Sequence, residues 1–298
     1  MVASRALVGL AAGTLSTWSI AFAGDWFPYS VRGRAIGLIS SAYFVAPILG
    51  VPLAAQIADR FGWRNAFLAF GGLAVAALLT SLTLPRVSAS QKPSSSRLRG
   101  TAHAFRSFLG RRDTVAALGI AFLVSGGLVG FLTYVGQWLN NHFGIPTRTI
   151  GWVFMLGGVV AVGSAPLGGI LSDRWGKRTI SIASNLLLAA AVALVPFLPW
   201  GVWLLVAFGA ASLGAAFRQG PLTALMTELV PAAQRGSFIA LRNISSQLGI
   251  GAAAFVGGML FEHRGYVAVT TLCAGMTLLV SVLLATHIVE PHSEEGQS

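Results

Sequence analysis

Three observations point to an all-α membrane protein, a bundle of nine transmembrane helices. The chain is 55% apolar and only 10% charged, with a mean hydropathy of +0.74. A soluble domain runs at about 45–50% apolar and about 25% charged, so the solvent for this much apolar surface is lipid. Crossing a hydrocarbon layer of about 30 Å takes about 20 apolar residues at a rise of about 1.5 Å each, and nine stretches meet that length. The Lys and Arg residues fall mainly in the gaps between those stretches, the pattern of a topology signal.

In chain order the expected spans are 6–24, 35–57, 65–84, 115–139, 150–171, 179–197, 201–225, 237–260 and 266–288. They are helices rather than strands because they are long, continuous and rich in Leu, Ala and small residues. The uncharged run from Thr179 to Phe217 is too long for one span, and Pro196, Pro199 and Gly201 supply its break. Gly9 and Gly13, at i, i+4, suit close packing of helices in lipid. The organisation expected is a partial N-terminal bundle at 1–85, a linker at 86–113, a six-helix bundle at 114–289 and a tail at 290–298.

The linker carries Arg86, Lys92, Arg97, Arg99, Arg106, Arg111 and Arg112, which makes it cytoplasmic by the positive-inside rule. Alternation then brings Arg32, Arg34, Arg174, Lys177, Arg178 and Arg235 inside and leaves Arg60, Arg64, Arg148 and Arg264 outside. The expected location is the inner (plasma) membrane, with the C-terminus cytoplasmic and the N-terminus outside. Residues 1–24 also mimic a secretory signal, with Arg5 ahead of an apolar stretch and Ala21-Phe22-Ala23 as a cleavage site. Cleavage there would turn the basic linker outward, against the charge rule.

The net charge of +11 does not mark a nucleic-acid partner, because its arginines lie between apolar runs rather than in a flexible basic tail. Cys273 is the only cysteine, which excludes an intrachain disulfide and a thiolate metal site. His103, His142, His263, His287 and His292 lack metal-ligand or nucleophile spacing, so no cofactor, metal or enzymatic chemistry is expected.

An internal repeat runs at an offset of about 203 residues. Asp25, Pro28, Arg32, Gly33, Ile36 and Leu38 recur as Glu228, Pro231, Arg235, Gly236, Ile239 and Leu241. The register holds one helix further on, where Asp59, Gly62 and Trp63 answer Glu262, Gly265 and Tyr266. Both copies begin on the cytoplasmic side, so the repeats are parallel, related by an axis along the membrane normal. By the same offset, about 90 residues, room for three spans, are expected ahead of Met1.

The segment Gly169-Ile170-Leu171-Ser172-Asp173-Arg174-Trp175-Gly176-Lys177-Arg178 resembles the hallmark loop of the major facilitator superfamily, between its eighth and ninth helices. The resemblance covers the whole chain, as the fourth to the twelfth helix of a twelve-helix transporter. It implies a secondary active transporter of a small solute, working by alternating access. Weaker matches resemble drug- or sugar-efflux members: Arg5-Ala6-Leu7-Val8-Gly9 on the fourth helix, and Ala42 with Ala46-Pro47, Gly50 and Pro52 on the fifth. The fifth-helix pattern usually has Gly where Ala42 and Ala46 stand, so export is a lean. In the family the loop's Asp sits near a helix N-terminus, whose dipole favours an anion. The resemblance makes Gly169, Asp173, Arg174, Gly176, Lys177 and Arg178 a gating loop, with Glu228 the acid that Arg174 can meet. Asp25 is the first-half counterpart of Glu228. The competing reading is that these residues only set topology.

In that fold the cavity lies between the halves near mid-membrane. Arg218 lies ten residues from Glu228, about 15 Å deep, where a charge must face water or a partner. It is expected to line the cavity or to form a buried structural pair, with Gln219 beside it. Asn243, Ser246 and Gln247 share one helix face, as do Thr14, Thr17 and Trp18; each set could line the cavity or bond neighbouring helices. The lipid bilayer and a small-molecule substrate are the partners. A coupling proton stays open, since the first-helix carboxylate of proton-coupled members falls outside this chain. The alternative is a sensor or partner subunit built on the same scaffold.

The repeat makes one expectation directly testable: sequencing upstream of the Met1 codon should find about 90 in-frame codons holding three apolar spans. A second G-x-L-x-D-R-x-G loop should lie among them, and random sequence there would refute the expectation of a misplaced start or truncated gene.

Overall fold

The computed structural model describes residues 11, 15, 19, 22, 49–83, 107–231 and 234–287, with the backbone alone at 227, 228, 235 and 236. Every regular element among them is helical. The chain divides into two compact units, Met1–Lys92 and Pro93–Ser298.

In the first unit, α1 (Val51–Phe61) places Pro52 in its first turn, where the missing N–H costs nothing. It ends at Gly62, and α2 (Trp63–Ser81) starts on the next residue. Apart from Ala66, α2 buries none of its residues. Of the expected spans, 6–24 and most of 35–57 lie outside the described residues.

The second unit holds α3 (Arg112–Phe143), α4 (Thr147–Trp175), α5 (Lys177–Leu194), α6 (Val202–Glu228) and α7 (Arg235–His287). A short 3-10 turn at Val195–Phe197, built on Pro196, ends α5. By length and composition α2 to α7 can each cross a membrane, so among the described residues six helices qualify. Helix α7, with 53 residues, would be about 80 Å long if straight, far more than one crossing needs. It breaks at Gly265 (φ 74°, ψ −174°), giving two arms at 235–264 and 266–287 that answer two separate expected spans.

Gly62 (φ 85°) and Gly265 (φ 74°) are counterparts in the repeat, and both hold the positive φ that lets one residue separate two helices. The sequence repeat thus recurs as a repeated backbone break, each in its own unit.

Two apolar clusters form the core of the second unit. The one nearer Gly265 includes Phe131, Trp138, Leu188, Phe208 and Tyr266, with Trp138 stacked on Tyr266 at 4.7 Å between centroids. The other, nearer Gly176, includes Phe108, Ile120, Leu222, Met226, Phe238 and Val280. Between them the helices touch through small residues. A Cβ on Gly249 of α7 would lie 2.1 Å from the carbonyl oxygen of Phe122 on α3, and one on Gly214 of α6 would lie 2.8 Å from that of Ser184 on α5. Close approach of this kind gains dispersion where lipid supplies no hydrophobic drive between helices.

Gly249→Ala should therefore destabilise the purified protein by about 1–3 kcal/mol, because the atom in the way is backbone. Gly251→Ala, whose added Cβ meets nothing within 4 Å, should leave thermal unfolding unchanged or slightly raised.

Candidate functional site

Three places in the second unit gather the polar side chains that the sequence singled out or that join helices there. The first is the layer between the two apolar clusters. Arg218 on α6 is 1% exposed and is the largest fully buried side chain among the described residues. Its Nη1 donates to Asn185 Oδ1 on α5 at 2.7 Å, and its Nη2 donates to the Val124 carbonyl on α3 at 3.2 Å. One side chain thus joins three helices. Asn185 is fully buried and is held in turn, its Nδ2 donating to the Ser181 carbonyl at 2.7 Å. Sequence reasoning singled out Arg218 but missed Asn185, although Ser181, Ser184 and Asn185 at i, i+3, i+4 mark a polar stripe on an apolar span.

The second place is a face shared by α6 and the first arm of α7. Gln219, Asn243 and Gln247 are exposed, and Ser246 is half-buried. Arg242 reaches from α7 to Thr223 Oγ1 on α6 at 3.4 Å. Thr223 stands four residues after Gln219 and donates to the Gln219 carbonyl, so that bridge sets the Gln219 face beside the Asn243–Gln247 face. Ser245 and Ser246 donate to the carbonyls of Leu118 and Ala121, fixing this arm against α3. Arg242 and Thr223 were not foreseen, although an arginine inside a span is itself a signal. Thr17 and Trp18 lie outside the described residues.

The third place is the tight connection from α4 to α5. Asp173 and Arg174 are exposed in the last turn of α4, and Gly176 (φ 87°) alone separates the two helices. Arg178 donates from Nε to the Leu284 carbonyl at 3.0 Å and from Nη2 to the Ala285 carbonyl. A cation there satisfies carbonyls that the last turn leaves free and meets the negative end of the helix dipole. Nearby, Arg111 pairs with Asp113 and donates to the Leu229 carbonyl at 3.3 Å, tying the start of α3 to the end of α6. Asp25 and the side chain of Glu228 lie outside the described residues, so the pairing of Arg174 with Glu228 does too.

Within the hallmark segment Gly169 faces open space, whereas its neighbour Gly168 is the tight one. A Cβ on Gly168 would lie 2.7 Å from Phe217 Cα and 2.8 Å from its carbonyl oxygen. That carbonyl lacks its helical donor because Pro221, four residues on, has no N–H. Helix α4 carries its own interior proline, Pro166, two residues before Gly168.

A model of the Major Facilitator Superfamily matches this chain twice, over residues 1–164 and 117–298. An uncharacterised MFS-type transporter, YwfA of Bacillus subtilis, is 29% identical over 283 residues, which are 94% of this chain and 68% of the relative. The purine ribonucleoside efflux pump NepI of Escherichia coli is 25% identical over 296 residues, 97% of this chain and 71% of the relative. Among solved structures, a D-xylose-proton symporter superposes with a TM-score of 0.71 at 18% identity, covering 91% of this chain and 67% of that one. At that identity the likeness speaks for the fold.

The buried pair makes a measurable claim. Asn185→Ala should cost about 1.5–3 kcal/mol of stability, the range for a hydrogen bond to a charged group. In an Arg218→Met background the same change should cost much less, a coupling that thermal unfolding of the four proteins would report.

Proposed function

Because the chain belongs to the Major Facilitator Superfamily, we propose that it is part of a secondary active transporter that exports a small solute by alternating access. The observation that carries this reading is that Gln219, Asn243 and Gln247 are exposed beside the Arg242–Thr223 bond on helices apolar enough to cross a membrane. Lipid gives such side chains no partner, and a water-filled path does. We assign Gln219, Asn243 and Gln247 to the wall of that path, with Arg218 acting from inside the bundle. Export is favoured by the efflux relative and by the fourth- and fifth-helix motifs.

The reading places the chain in the inner (plasma) membrane with the Gly176 end cytoplasmic, since that end gathers Arg111, Arg112, Arg174, Lys177 and Arg178. There the α4–α5 connection serves as the gate. Arg178 holds the end of the last helix, and Asp173 and Arg174 remain exposed, the carboxylate open to a coupling proton and the guanidinium to Glu228.

Inside-out vesicles containing the protein should accumulate at least one solute from a panel of nucleosides, sugars and amphipathic drugs. Gln219→Ala, Asn243→Ala and Gln247→Ala should each change its half-saturating concentration, by about tenfold where a hydrogen bond to the solute is lost. Binding without accumulation for every solute would mark a sensor or partner subunit instead.

A further inference from the structure

Four buried side-chain atoms among the described residues lack a hydrogen-bond partner: Arg218 Nε, Ser181 Oγ, Ser281 Oγ and Arg242 Nε. The first three lie on helices that are tied together, α6 to α5 through Arg218 and α5 to the second arm of α7 through Arg178. Arg218 bonds Asn185, and Ser181 lies one turn earlier on the same face of α5. Ser181 follows Arg178 by three residues, and Ser281 precedes Leu284 by three. Arg178 bonds the Leu284 carbonyl, and α5 and the second arm of α7 run in opposite directions. The two serines therefore stand at one level, one turn inward from that contact.

The charge balance points the same way. A guanidinium keeps its proton in proteins, and burying it is costly unless an opposite charge answers it. Both acceptors of Arg218 are uncharged, an amide oxygen and a peptide carbonyl. The three unpartnered atoms can all donate a proton, and Ser181 and Ser281 are 0% and 7% exposed. A guanidinium with an unused N–H and two unpartnered hydroxyls at the neighbouring level is the chemistry that binds a small monoanion.

We propose that Arg218, Ser181 and Ser281 form a monoanion-binding site inside the second unit, between α5, α6 and the second arm of α7. Arg218 supplies the charge and its Nε–H, and the serine hydroxyls supply two further donors. The occupant is an inorganic ion such as chloride or the carboxylate of an organic solute. The site does not depend on the direction of transport, because binding is measurable without flux.

The test is thermal unfolding of the purified full chain, followed by tryptophan fluorescence, in sodium chloride or sodium acetate against sodium gluconate at equal ionic strength. A bound ion stabilises the folded state by mass action, so Tm should rise saturably with chloride or acetate. Arg218→Gln should abolish the rise, and Arg148→Gln, at the exposed start of α4, should retain it. Ser181→Ala keeps the charge and removes one donor, and should raise the half-saturating concentration about tenfold. It serves as the deciding variant if Arg218→Gln does not fold. A rise with chloride but not acetate marks a resident inorganic ion, and a larger rise with acetate marks the anionic group of a solute. Equal Tm in all three salts overturns the proposal. So does a rise undiminished in Arg218→Gln or, where that variant fails to fold, in Ser181→Ala.

Discussion

Placing a guanidinium in the middle of a bundle the thickness of a membrane imposes the arrangement around it. Arg218 needs acceptors at fixed points, and they come from different helices, Asn185 on α5 and the Val124 carbonyl on α3. The layer at that depth must then be polar, which separates the two apolar clusters of the core. An apolar side chain at position 218 would demand none of this. The arginine fixes which helices meet and at what height, in a medium that offers no hydrophobic reason for one apolar helix to prefer another.

Close approach is the second half of the same arrangement. Arg218 can reach its partners because glycines let the helices come near. Gly214 seats α6 on α5 one turn away, and Gly168 seats α4 on the Phe217 backbone directly beside the arginine. The Phe217 carbonyl, freed by Pro221, therefore lies against a Cα–H rather than a bulky side chain, a weak contact that softens the loss of its helical bond. With Pro166 two residues from Gly168, the irregular points of α4 and α6 coincide.

What could be read from the sequence follows from what is periodic or local. The spans 115–139, 150–171 and 179–197 lie within or along α3, α4 and α5 with its terminal turn, because an apolar run of span length is a local property. The break between α5 and α6 was legible in Pro196 and Gly201, and the repeat paired Gly62 with Gly265, both of which hold a positive φ. Contacts between distant segments were not legible. Nothing at Arg178 announces that it will hold carbonyls more than a hundred residues away, since backbone acceptors have no sequence signature. The pairing of Arg218 with Asn185 is a choice among helix faces made in three dimensions. Gly168 and Gly169 look alike as letters, and only the crossing of α4 with α6 tells them apart.

The polar layer also bears on how the chain enters the bilayer. A centred arginine adds about 2.5–3.5 kcal/mol to the insertion of an isolated helix, and α6, at a mean hydropathy of 1.3, is among the least apolar of the described spans. Both acceptors of Arg218 lie earlier in the chain, so they leave the ribosome first. Helix α6 can thus partition into lipid alongside α3 and α5 already inserted, with its charge met on arrival. The order of the helices along the chain is an order of synthesis in which the costly residue follows the groups that receive it.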